Sequence, residues 1–289
     1  MPDPVDVFYP APDGLTLYAC DFNHAGADAP VLLCLHGLTR NSRDFTRLAS
    51  DLEANYRVIC ADQRGRGRSD YDSNPANYQP ATYVQDMFAL LDYLAVPKVA
   101  VIGTSMGGLM GMMMGALQPG RISGLLLNDI GPQVEPAGLA RIQSYVGKSG
   151  PVSNWDEALA QCRAINGAAF ADFSEQQWRD FTRGLYRDEA GVPVLDYDPA
   201  IAQPIDAARE NAVPPDLWPL FEGLAMPVLV VRGASSDILS AATAAAMCAR
   251  GANCRLQQVP RRGHAPTLDE ADARQALTAW LGQLADPTA

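Results

Sequence analysis

The run Gly103-Thr104-Ser105-Met106-Gly107 constrains this chain most, because it sits between an aliphatic stretch, Val99 to Ile102, and a helical pattern from Met106 to about Leu117. Strand, glycine-flanked serine and helix in direct succession describe an abrupt turn that exposes one hydroxyl at the C-terminal edge of a sheet. The glycines relieve side-chain clashes around such a turn, where the serine backbone is strained. The helix that begins there aims its first amides at any anion formed when Ser105 attacks a carbonyl. A bare G-x-S-x-G is a weak signal in a chain with 24 glycines. The strand before it and the helix after it make it specific.

On both sides of this motif, short aliphatic runs alternate with longer helical patterns, as in βαβ units with a mostly parallel sheet. Val5 to Tyr9 and Leu15 to Phe22 read as an opening antiparallel pair around Pro12-Asp13-Gly14, and Val31 to Leu35 and Arg57 to Ala61 as buried strands. Helices are expected over Ser42 to Ala54 and Tyr83 to Leu94, and strands over Lys98 to Gly103 and Ile122 to Leu127. The rhythm then breaks until a strand at Pro227 to Val231, followed by a helix at Ser240 to Arg250, a strand at Cys254 to Val259 and a helix at Leu268 to Leu284. The interrupting stretch has helical patterns rich in aromatics: Tyr145, Trp155, Phe170, Phe173, Trp178, Phe181, Tyr186 and Trp218. The expected organisation is an α/β core over residues 1–130 and 220–289 with a helical cap over 131–219, whose aromatics roof a pocket above Ser105.

With 289 residues, 48% of them hydrophobic, the chain can bury a full core. A net charge of -11 argues against nucleic acid as a partner, since phosphate binding needs clustered Lys and Arg. The start, Met1-Pro2-Asp3-Pro4, has neither a basic nor an apolar leader region, and no apolar run is long enough to span a bilayer, so the expectation is a cytoplasmic protein without a membrane partner. Six scattered cysteines without CxxC spacing read as buried free thiols. Three histidines and no His/Cys cluster give no expected metal site of nitrogen and sulfur ligands, and no cofactor is expected. The methionines around Met110 to Met114 read as filling against the sheet.

Taken in order, His36-Gly37 after the first buried strand, Asp62-Gln63-Arg64-Gly65-Arg66-Gly67-Arg68-Ser69 after the second, and Gly103 to Gly108 resemble three signatures of the α/β-hydrolase superfamily, and the likeness spans nearly the whole chain. The resemblance implies an α/β-hydrolase fold, a mostly parallel sheet of the eight-stranded type with helices on both faces. It also implies a catalytic triad in the chain order Ser, Asp or Glu, His. Only His264 follows Ser105, so the base falls to it. The resemblance assigns the acid to Asp237, in the loop after the Val228 to Val231 strand, with Asp129, directly after the strand ending at Leu127, as the alternative. The amides of Met106 and Leu38 are the implied oxyanion donors. The sequence departs here from HGxxG versions, reading Gly37-Leu38-Thr39-Arg40, so the second donor could shift to Thr39.

His36 itself reads as bonding loop backbone, and Arg64, Arg66 and Arg68 as making local salt bridges with Asp62, Asp70 and Asp72 at a loop surface. The implied activity is serine hydrolysis of a small carboxylic ester or lactone through an acyl-enzyme. The alternatives are carbon-carbon hydrolysis of a ring-cleavage dienoate or β-diketone, cofactor-free perhydrolysis, and ligand reception without turnover on the same fold.

Overall fold

The computed structural model describes residues 3–211 and 216–285. Its strands are β1 (Val5–Pro10), β2 (Thr16–Phe22), β3 (Val31–Leu35), β4 (Arg57–Asp62), β5 (Val99–Thr104), β6 (Ile122–Asn128), β7 (Tyr186–Glu189), β8 (Val192–Leu195), β9 (Val228–Gly233) and β10 (Cys254–Val259). Eight of them form one sheet in the order β1-β2-β4-β3-β5-β6-β9-β10. The pairs β1/β2 and β2/β4 are antiparallel, and every later neighbour is parallel.

Strand periodicity sorts the aliphatic residues onto two buried faces. Leu33 and Leu35, Val101, and Val228 and Val230 face one core with helices α2 (Pro80–Tyr93) and α3 (Met106–Leu117). Their neighbours Leu32, Cys34, Ala100, Ile102, Leu229 and Val231 face the other, with α1 (Thr46–Leu52) and α10 (Ala271–Ala285). Trp280 of α10, buried to 1% exposure, closes the second core, a burial that contributes roughly 1.5–3 kcal/mol by its apolar area. Met110, Met112 and Met114 are fully buried in the first core, as expected of gap fillers.

Between β6 and β9 the chain leaves the sheet for α4 (Pro136–Tyr145), α5 (Trp155–Asn166), α6 (Glu175–Leu185), the β7–β8 pair and α7 (Ala202–Asn211). Besides the helices expected of this stretch, the structure holds a hairpin that the helical patterns did not indicate, turning at Ala190 and Gly191, both with positive φ. A two-residue turn of that kind suits the right-handed twist of paired strands, and Gly191 supplies it at no steric cost. Residues 212–215 of the expected cap lie outside the described residues. Trp218, counted with the cap aromatics, opens α8 (Trp218–Glu222) and packs with Phe221 against the sheet-side core.

The remaining helix, α9 (Ala241–Arg250), precedes the edge strand β10. Cys34, Cys60 and Cys162 are buried free thiols, whereas Cys20, Cys248 and Cys254 are only partly covered, and Cys248 and Cys254 meet between α9 and β10. None of the described helices is long and apolar enough to cross a membrane. Among the described residues no cluster of three or more His, Cys, Asp or Glu is placed to hold a metal ion.

Candidate active site

Ser105 stands between β5 and α3 with φ of 52° and ψ of -117°, a left-handed backbone that L residues avoid. The packing around it forces the strain. A Cβ on Gly103 would lie 2.4 Å from the Gly107 carbonyl oxygen, and one on Gly107 would lie 2.1 Å from the Leu35 carbonyl oxygen. Only glycines let α3 start this close to β3 and β5. The turn is held by the Ser105 amide donating to Asn128 O at 2.9 Å and by the Ser105 carbonyl accepting from Gly108 N at 2.9 Å.

His264, in the loop between β10 and α10, has Nε2 2.9 Å from Ser105 Oγ and Nδ1 2.8 Å from Asp129 Oδ2. Asp129 is fully buried and begins the segment after β6, itself at a φ of 60°, a region that aspartate tolerates better than most residues. Its carboxylate accepts two further bonds, from Gly233 N at 2.8 Å and from Ser236 Oγ at 2.6 Å. A carboxylate so held fixes the ring with Nδ1–H donating to it and leaves the Nε2 lone pair facing the serine hydroxyl. Ser105, His264 and Asp129 thus form one continuous relay able to take up and return a proton.

Asp237, which the resemblance favoured as the acid, is elsewhere. Its carboxylate is taken by Arg141 of α4, with Nε at 2.5 Å and Nη2 at 2.9 Å, and that guanidinium holds its pKa below the usual range. After β9 the chain turns tightly, with Ser236 N bonding Gly233 O, so it is the Ser236 hydroxyl that reaches Asp129. The Asp237 backbone meets α4 instead, where a Cβ on Gly138 would stand 2.1 Å from the Asp237 carbonyl oxygen. The alternative position, one residue beyond β6, therefore supplies the carboxylate next to His264.

The expected oxyanion donors border the serine from two sides. Met106 opens α3, where a first-turn amide has no intrahelical acceptor. The amides of Leu38 and Thr39 donate to no backbone carbonyl among the described residues. The Leu38 side chain packs against the first core, whereas Thr39 lines the cavity in front of Ser105. The loop is braced from behind: Arg66 Nε donates to Leu38 O at 2.9 Å. His36 Nδ1 donates to Gly37 O at 2.7 Å, and its Nε2 accepts from Gln63 N at 3.1 Å.

Arg66 and Arg64 are almost fully buried, not at a loop surface as their glycine-rich setting suggested. Arg64 pairs with Asp13, Asp72 and Asp86, and Arg66 donates to Arg64 O and Tyr83 OH besides Leu38. Only Arg68, which pairs with Asp6, is half exposed. Of the acids expected to partner these arginines only Asp72 does so; Asp86 comes from α2, too distant in sequence for a local reading.

Burial lowers the pKa of His36 to about 3, so the ring is neutral in the folded protein. The unfolded chain, with an ordinary histidine near 6.5, then binds more protons between those values, and folding stability falls as pH drops below 6.5. This group alone contributes a slope of about 1.4 kcal/mol per pH unit. His36→Asn is expected to flatten the pH dependence of the unfolding free energy from urea titrations, by close to that slope between about pH 5.5 and 4.5, and an unchanged slope would contradict a buried neutral ring.

A cavity of about 760 Å³ opens in front of Ser105 and His264. Its floor comes from the sheet edge and its walls from α4, α5 and α6, with Tyr145, Phe170, Phe173 and Phe181 among the lining residues. Trp178 instead forms the interior of the inserted segment with Leu159 and Leu185.

A mostly parallel eight-stranded sheet, a serine at a strained strand-to-helix bend and a His–Asp pair behind it define a hydrolase of the α/β type. Residues 32–276 match the model of the alpha/beta hydrolase family, and the chain belongs to that family. It is 41% identical over 248 residues to a 3-hydroxybutyrate-oligomer hydrolase of Cupriavidus necator, covering 83% of this chain and 84% of that protein. A 2-(acetamidomethylene)succinate hydrolase of Mesorhizobium japonicum is 28% identical over 217 residues, covering 75% of this chain and 74% of that protein. Among solved structures, an alpha/beta hydrolase from Novosphingobium aromaticivorans superposes with a TM-score of 0.92 at 41% identity, covering 98% of this chain and 99% of the other.

Proposed function

We propose that the chain is a serine hydrolase of small carboxylic esters that works through an acyl-enzyme. The observation that carries this reading is the unbroken relay from Ser105 Oγ through His264 to Asp129. As Ser105 Oγ attacks the ester carbonyl, His264 Nε2 takes its proton and Asp129 stabilises the imidazolium. The amide of Met106 and that of Leu38 or Thr39 stabilise the tetrahedral oxyanion. Collapse breaks the bond to the alcohol oxygen, which leaves with the proton from His264. A water then gives its proton to His264 as it attacks the acyl carbon, and collapse breaks the bond to Ser105 Oγ, which takes that proton back from His264 as the acid is freed. In this reading 131–219 acts as a cap that bounds the substrate.

Ester chemistry is supported by the 41% identical relative, whose name specifies hydroxybutyrate oligomers. Incubation with a fluorophosphonate probe is expected to modify the protein once, on the peptide carrying Ser105, as read by mass spectrometry. Absence of labelling would favour a ligand receptor over an enzyme. Short-chain aryl esters are expected to turn over faster than a dienoate; a preference for the dienoate by orders of magnitude would replace ester cleavage with carbon-carbon cleavage.

A further inference from the structure

Four arginines line the cavity: Arg40, Arg43, Arg47 and Arg262. Arg43 is engaged by Asp196 and by the carbonyls of Gly184 and Tyr186, and Arg262 by Asp172, Glu270 and the Arg261 carbonyl. Arg47, at 76% exposure, faces solvent and lies 3.6 Å from the Asp269 carboxylate. Arg40 differs. Its Nε and Nη2 grip the Asp44 carboxylate and its Cζ lies 4.2 Å from the centroid of the Phe181 ring, but Nη1 is buried without any hydrogen-bond partner. A guanidinium presents two forked edges, and Asp44 occupies only one of them. A charged donor left unpaired in the interior is unfavourable unless something completes it.

The aliphatic stem of Arg40 starts beside the nucleophile, across Gly37. From the point where a Cβ would sit on Gly37, Arg40 Cγ is 3.6 Å away and Ser105 Cβ is 3.7 Å away. We propose that the free edge of Arg40 seats a carboxylate carried by the substrate, so that the enzyme takes short oligoesters of a hydroxy acid as their terminal anions. In a 3-hydroxy acid dimer the carboxylate carbon lies four bonds beyond the scissile carbonyl carbon, roughly 5 Å when extended. Arg40 and Ser105 line the same cavity, which has room for a chain of that length. The Phe181 and Phe170 rings offer an apolar surface for the alkyl branches of such a chain. This assignment rests on the ester-hydrolase reading and narrows it to acids.

The test compares the 3-hydroxybutyrate dimer as free acid with the same dimer capped as its terminal primary amide, which keeps the scissile ester and shape but removes the charge. For the wild type, kcat/KM for the acid is expected to exceed that for the amide by at least about tenfold, mostly in KM, as for loss of a charge-assisted bond. In Arg40→Gln the ratio is expected to fall to near one, and in Arg40→Lys, which keeps a point charge without the fork, to lie between. Because each enzyme serves as its own control, a variant that is less stable still reports the ratio. A wild-type ratio near one, or an unaltered ratio in Arg40→Gln, would overturn the assignment while leaving ester hydrolysis standing. If the wild type cleaves neither dimer nor an aryl ester, the ester reading fails, and the Arg40 assignment with it.

Discussion

Asp129→Asn is expected to lower kcat by about 10⁴-fold on an aryl ester, whereas Asp237→Asn is expected to lower it by less than tenfold. The asymmetry follows from which carboxylate touches the imidazole. Asp129 Oδ2 is 2.8 Å from His264 Nδ1, and an asparagine there can present its NH2 to that nitrogen, which stabilises the tautomer with the proton on Nε2. A ring in that tautomer cannot accept the Ser105 proton. The change is nearly isosteric, and the bond from Gly233 N at 2.8 Å can persist to the amide oxygen, so circular dichroism and the melting midpoint should change little. Asp237→Asn removes instead one partner of the Arg141 pair, which is partly exposed and is worth a modest amount of stability. The reverse ranking, with Asp237→Asn the more damaging to kcat, would return the acid role to the loop after β9.

The distinction between these two aspartates marks the limit of what the sequence could reveal. Residues 99–117 announced strand, bend and helix, because aliphatic periodicity and glycine spacing are local signals, and the two-faced sheet followed from runs such as Val31 to Leu35 and Val228 to Val231. Both candidate acids stand just past a strand at the same sheet edge. Which one meets His264 depends on how tightly the chain turns at Gly233 and on the docking of α4 against Asp237, neither of which has a local signature. The placement of an aspartate just after the strand run ending at Leu127 was the available clue.

The hairpin of β7 and β8 escaped for a different reason: it is short, lies among helices, and its Glu189-Ala190-Gly191-Val192 turn has only one glycine to mark it. Arg40 was legible as a departure from the HGxxG pattern. Its relation to Asp44, Phe181 and the cavity required α6 to be folded over the loop.

Arg64→Met is expected to destabilise the protein by about 3–5 kcal/mol at pH 7, the range for removing one partner from a buried ionic cluster. Arg64 is 1% exposed in its side chain and joins Asp86 at 2.7 Å, Asp72 at 2.5 Å and Asp13 at 2.6 Å. Burial already pushes the Asp86 carboxyl above its ordinary pKa, and Arg64 is the cation that opposes this. Without the guanidinium, Asp86 must either stay charged in an apolar site or take up a proton, and both are unfavourable at neutral pH. The deficit relative to the wild type should therefore shrink as pH falls toward the range where Asp86 is protonated in either state.

A second substitution, Asp86→Leu, is expected to recover part of the loss in the Arg64→Met background, because a buried pair replaced by apolar groups leaves no charge uncompensated. Failure of that rescue would mean that Arg64 acts through packing alone. The cluster also bears on the active site. Arg64 anchors the loop from which Arg66 reaches Leu38 O, so a loosened loop lets the amides of Leu38 and Thr39 drift from the oxyanion position. A drop in kcat for Arg64→Met at temperatures where the variant is still folded would tie this buried ionic cluster to the geometry in front of Ser105.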